Sequence, residues 1–151
     1  MYLYLSSTDS LTSHPDNTAT DFTVDLGRYL KLPDVVWQVA LIDISGPITR
    51  NAYIYCDLCQ SSLIDNGYAP VLRYLTPNNE TNFHPTYVDV CKDSITRLRI
   101  FIRTCNVETT SVGFIRARND ETASVDATTT RCTLHLRPTR VLKSSNNGGI
   151  L

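Results

Sequence analysis

The sequence predicts an all-β protein: a two-sheet antiparallel β-sandwich, a single jelly roll of about eight strands. Three observations lead there. Short apolar stretches alternate with polar residues at the strand period of two, about nine times along the chain. Turn chemistry in Gly, Pro, Asn and Asp separates these stretches at short intervals. No stretch carries the 3.6-residue periodicity of an amphipathic helix. Such a pattern places two sheets face to face around one core. Eight core strands suit a jelly roll, although connectivity does not follow from periodicity.

Taken in order, Tyr2 to Leu5 is a short aromatic-rich strand, followed by a polar loop broken at His14-Pro15. Asp21 to Leu26 is half-buried, with Phe22, Val24 and Leu26 inward and Asp21, Thr23 and Asp25 outward. Gly27 to Asp34 is read as a crossover with Leu30 and Leu32 as plugs. Val35 to Ser45 is the hydrophobic centre: it holds the only tryptophan and is rich in β-branched residues. Both of its faces are mostly apolar, as in a strand buried in the middle of a sandwich. Gly46-Pro47 ends it.

Ala52 to Leu58 sets Tyr53 and Tyr55 against Ile54 and Cys56 on the opposite face. Cys59 to Gly67 is left open as a short helix or a loop, with Asn66-Gly67 as a turn signal. Val71 to Leu75, Tyr87 to Val90, Ile95 to Thr104, Val112 to Ala117 and Thr129 to Arg137 complete the strands. In the last but two, Leu98, Ile100 and Ile102 face one way and Arg97, Arg99, Phe101 and Arg103 the other. In the last, Cys132, Leu134 and Leu136 point in, and Arg131, Thr133, His135 and Arg137 point out. One domain is expected over 1–142, with a flexible Gly-rich tail over 143–151.

Hydrophobic content of 42% with 19% charged residues fits a folded globular chain rather than a disordered one. Formal net charge is −1, which argues against a generic nucleic-acid binder, but the sum hides an asymmetry. Residues 1–91 carry ten acids and four bases, whereas residues 92–151 carry ten bases and five acids. Either an acidic and a basic surface meet between subunits, or early and late strands pair within one sheet and the charges intermix. No apolar run approaches the ~20 residues of a membrane span, and the N-terminus lacks the features of a signal peptide. Five cysteines, Cys56, Cys59, Cys91, Cys105 and Cys132, are therefore expected as free thiols.

Signals for chemistry are weak. Cys56-Asp57-Leu58-Cys59 is a CxxC without a second ligand pair, and its two sulfurs diverge unless Cys59 has left the strand. His14, His84 and His135 are scattered, with no nucleophile elbow. Asp9, Asp16 and Asp21 lack the spacing of a calcium loop. Asn79-Glu80-Thr81 is a formal glycosylation sequon. No catalytic residue, metal site or cofactor is expected, and an enzyme is the least supported class. Arg97, Arg99 and Arg103 around Phe101 form either a subunit-facing row or a platform for single-stranded nucleic acid, the former preferred. Tyr53, Tyr55, Tyr68 and Tyr74 suggest a receptor- or glycan-binding module as an alternative.

The run Asn17-Thr18-Ala19-Thr20-Asp21-Phe22-Thr23-Val24-Asp25-Leu26, then Leu30-Lys31-Leu32, then Trp37-Gln38-Val39-Ala40-Leu41-Ile42-Asp43-Ile44, resembles small virion proteins of Polinton/Maverick elements and adintoviruses. Cys132 to Pro138 resembles their closing strand, and Ala69 to Arg73 a central segment. The resemblance implies a virion structural protein, a minor capsid subunit with a single jelly roll such as the penton at capsid vertices. It further implies a homo-oligomer, a pentamer for a penton, in contact with a major capsid protein, made in the host cytoplasm or nucleus. At 151 residues the chain is short for a penton, which keeps a cement or spike-base role open. Asn146-Asn147-Gly148-Gly149-Ile150 is similar to the cleavage signal of adenovirus-type maturation proteases. As subunit-interface residues we expect Arg97, Arg99 and Arg103, then Arg131 and Arg137.

Overall fold

A computed structural model describes residues 1–76, 84–105 and 129–142. The expected strand Val112 to Ala117, the sequon and the tail lie outside the described residues. Among the described residues ten strands form: β1 (Tyr2–Ser6), β2 (Asp21–Lys31), β3 (Val35–Ser45), β4 (Ala52–Cys56), β5 (Ser62–Ile64), β6 (Gly67–Ala69), β7 (Val71–Leu75), β8 (Val88–Asp89), β9 (Ser94–Thr104) and β10 (Arg131–Leu142). No described residue is helical.

Eight strands make two four-stranded antiparallel sheets, ordered β1-β10-β3-β8 and β2-β9-β4-β7. Pairing follows a nested rule: β1 with β10, β2 with β9, β3 with β8, β4 with β7. The first half of the chain is thus laid antiparallel against the second and wrapped over two sheets, which is the single jelly roll. The expected fold class stands. Between the sheets lies one apolar cluster that includes Phe22, Leu41, Ile54, Leu98, Ile100 and Leu134, each 1% exposed or less. Each such side chain contributes about 1.5–3 kcal/mol by leaving water.

Three details depart from the sequence reading. β2 does not end at Leu26. Its register with β9 slips between Asp25 and Leu30, where Gly27 takes a positive φ of 66°, and the strand resumes to Lys31. In β3 the ladder with β10 skips Ile42: Thr133 pairs with Asp43 but Leu134 with Leu41. This bulge inverts the alternation, so Asp43 is exposed while Leu41 and Ile44 both reach the core. β3 is covered on both faces at its middle, where Val39, Ala40 and Leu41 are all fully buried, and opens to solvent only towards its end, at Asp43 and Ser45. Residues 59–67 are neither helix nor open loop, since β5 and β6 form a hairpin. Its two turn residues, Asp65 and Asn66, have φ of 46° and 68°, the double positive φ of a type I′ turn. The sequence signal was there, displaced by one residue from Asn66-Gly67.

The loop before β2 covers that strand's outer edge. Asn17 Nδ2 donates to the Thr23 carbonyl and Asn17 Oδ1 accepts from its N–H, both at 2.9 Å, as a neighbouring strand would do. Thr18 bonds Asp21 in the same manner through its N–H and its hydroxyl, and Ser10 Oγ accepts from the Asp25 N–H. An edge satisfied by side chains offers no template to another strand. The Asn17-Thr18 pair therefore has a structural role at this edge.

At one end of the sandwich, Thr130 is fully buried and ties three segments together. Its hydroxyl donates to the Ala19 carbonyl at 2.6 Å and its N–H to Ser7 Oγ at 3.1 Å. A Cβ on Gly46 would stand 2.5 Å from Thr130 Oγ1, so only glycine fits beside it.

Candidate functional site

With the interior filled, contact chemistry falls on the two outer faces. On the β2-β9-β4-β7 sheet, alternation points Arg97, Arg99, Phe101 and Arg103 of β9 outward, as expected. β2 sets Asp21 and Asp25 beside them, with Asp25 opposite Arg97. Arg99 reaches diagonally to Asp21 with two hydrogen bonds, Nε to Oδ1 at 2.8 Å and Nη2 to Oδ2 at 2.6 Å. That bond and the Asp21 charge hold the Arg99 guanidinium above its ordinary range. Lys92 likewise takes Asp57 at 2.6 Å. Of the two meanings of the charge asymmetry, these pairs follow the second: acids from early strands meet bases from late ones inside one sheet. Arg103 has no acidic partner among the described residues.

Across β9, β4 and β7 runs a row of aromatic rings. Phe101 and Tyr55 have centroids 5.5 Å apart, Tyr55 and Tyr53 6.3 Å, and Tyr53 and Tyr74 4.8 Å. The row arises from register, since Phe101 pairs with Tyr55 and Tyr53 with Tyr74. Burial, then the charges of Cys105 and Asp65, pushes the Tyr53 phenol above its ordinary value. Beside Tyr55 and Phe101 opens a trough of about 400 Å³, walled by Arg99, Arg103, Asp57 and the Ala69-Pro70 foot of the hairpin. Tyr68, also expected among the aromatics, stands on the hairpin at 79% exposure and pairs with Leu63, itself 66% exposed.

Arg131 and Arg137 lie on the opposite face, on β10 of the other sheet. The five expected interface arginines thus split three and two between faces. Arg137 sits over the Tyr87 ring, 3.4 Å from its centroid, and donates to Gln38 Oε1. The Tyr87 hydroxyl meets His135 Nδ1 at 2.7 Å, and Tyr2 stacks on His135 at 4.4 Å. Burial, helped by the positive charges of the Met1 amino group and Arg137, lowers the His135 pKa. This second cluster escaped the sequence reading because its members come from four strands or loops. The outward position of His135 was the only sign of it.

Cys59 leaves the strand through a turn, its N–H donating to the Cys56 carbonyl, which removes the expected divergence of the two sulfurs. Hydrogen bonding to the Cys56 sulfur and burial push the Cys59 thiol far above its ordinary value. Burial pushes Cys132 up to about 12. These are packed thiols, and all five cysteines are unpaired. Among the described residues no three His, Cys, Asp or Glu side chains converge as metal ligands.

Fold and faces together define a single jelly-roll sandwich with a closed apolar interior and two decorated outer surfaces. No protein-family model matches the chain, and no curated protein or solved structure matches it.

Proposed function

We propose that this chain is a non-enzymatic virion structural protein, a minor capsid subunit of the penton type that assembles with itself and with a major capsid protein. The observation that carries the reading is the nested eight-strand order, an architecture that recurs in viral capsid proteins. The filled interior supports it, because such a sandwich is a rigid block whose work is done by its surfaces. The resemblance in the β2, β3 and β10 segments points the same way. Symmetric repetition then multiplies modest pairwise contacts into a shell. Arg97, Arg103 and Arg131, exposed and without an ion pair among the described residues, are the expected interface arginines with charge to spare for a neighbour. Gly148-Gly149 in the tail is the proposed target of a maturation protease.

The test is the mass of the full chain in solution, with a mass spectrum of its C-terminus from particles. A ring-sized species that the double change Arg103→Glu and Arg131→Glu disperses, with folding intact, is the expected result. A monomer at every concentration, alone and with the major capsid protein, sinks the proposal.

A second reading, a receptor- or glycan-binding cement or spike module, is favoured by one observation: the aromatic row Tyr74, Tyr53, Tyr55 and Phe101 beside an open trough. It predicts retention on a glycan array, and an array without signal argues for the shell alone.

A further inference from the structure

Resting on that second reading, we propose that the trough between β9 and the foot of the β5-β6 hairpin binds an acidic saccharide, its ring on Tyr55 and Phe101 and its carboxylate on Arg103. The floor is two half-buried rings inclined 34° to one another. The negative face of an aromatic ring attracts the positively polarised C–H groups on one side of a pyranose. At about 400 Å³ the space falls in the lower part of the range of small-ligand sites and suits one or two sugar units. Tyr53 and Tyr74 continue the row and would take a following unit.

Charge selects the kind of ligand. Of the charged groups that wall the trough, Arg99 is neutralised by Asp21 and Asp57 is held by Lys92. Arg103 is what remains on the rim, so the wall presents one uncompensated cation. A polyanion needs several phosphate contacts, and the trough wall offers one free cation, because Asp21 takes Arg99. A neutral glycan would leave Arg103 unused. An extended peptide adding itself as a strand is unsuited as well, because β9 and β4 already have neighbours on both sides.

The experiment is a ¹H–¹⁵N titration of the full chain with 3′-sialyllactose, with lactose as the neutral arm and an oligothymidylate as the polyanionic arm. We expect sialyllactose to shift the Tyr55, Phe101 and Arg103 resonances and lactose to bind roughly tenfold more weakly. Arg103→Gln should erase that difference without changing the urea midpoint, and Phe101→Leu should weaken both sugars while keeping the apolar volume. Equal binding of the two sugars overturns the acidic selectivity and leaves the glycan reading intact. No shift with either sugar up to about 20 mM, weaker than any useful contact, overturns both. Oligothymidylate binding more tightly than sialyllactose, with steep salt dependence, overturns the proposal in favour of nucleic acid. Broadening of the trough resonances on concentration alone, with a doubled mass, overturns it in favour of a second copy of the chain.

Discussion

Arg99 and Arg103 look equivalent in sequence, yet reversing their charges should have different consequences. Arg99 makes two bonds to Asp21, with side chains 58% and 37% exposed, so the pair stays wetted and belongs with surface ion pairs worth about 0.2–1 kcal/mol. Its two-pronged geometry places it at the upper end. Arg99→Glu replaces that attraction with repulsion from Asp21 and brings a second carboxylate towards Asp57, whose Oδ1 accepts the residue's own N–H at 2.9 Å. The total is about 1–2 kcal/mol. With a urea m-value of about 2 kcal/mol per molar for a chain of this size, the midpoint falls by roughly 0.5–1 M. Arg103→Glu breaks no ion pair among the described residues and should move stability by about 0.5 kcal/mol or less. Asp21→Lys combined with Arg99→Glu should restore most of the loss, giving a coupling near 1 kcal/mol in a double-mutant cycle. Equal midpoint shifts for the two single variants, or no rescue by the swap, would refute the intramolecular assignment of Arg99. The distinction governs any assembly assay: only Arg103→Glu reports on a contact between subunits without also loosening the fold.

Three further outcomes follow from the same structure. Thr130→Val keeps the shape but removes the hydroxyl that donates to the half-buried Ala19 carbonyl, so thermal or urea unfolding should show a loss of about 1 kcal/mol, while Thr130→Ser should retain most of the stability. Asn17→Ala removes both bonds to Thr23, costs about 1–2 kcal/mol, and bares the β2 edge, so light scattering during incubation should rise; unchanged scattering would show that the edge needs no cover. His135 has a folded pKa below the ordinary 6.5, so the unfolded chain binds the extra proton first as pH falls. Its contribution to stability is present above 6.5 and is lost as pH drops through the lower folded value. NMR titration of the imidazole should locate that midpoint beneath 6.5, and a midpoint above it would contradict the packing of Tyr2 and Tyr87 on the ring.

Much of the fold was legible because alternation is a local property. Phe22 and Val24, Leu98 and Ile100, and Leu134 and Leu136 each announce a core face within their own segment, and every one of them is buried. Where alternation breaks, the sequence alone misleads. Ile42 is as apolar as its neighbours, so nothing marks it as the residue the ladder skips, and Asp43 reads as facing the same way as Leu41 until the partner strand is known. Gly27 reads as an ending, although the slip it permits lets β2 resume. The hairpin was missed because Ser62–Ile64 and Gly67–Ala69 are too short to establish a period.

The candidate site was less legible, for a related reason. Which residues face outward can be read along one strand, but which of them meet depends on register across strands. Asp21 and Arg99 are separated by 78 positions, and no pattern in either segment says that the acids of β2 lie beside the bases of β9. Once they do, the excess of acids early and bases late no longer implies two charged surfaces seeking each other between molecules. It reflects the nested order of the jelly roll itself, which brings the second strand against the second from last. The charge that remains for recognition is then local, and beside the aromatic trough it comes down to Arg103. Whichever partner occupies that face, a shell neighbour or a saccharide, its charge selectivity should follow residue 103 and its affinity should follow the rings beside it.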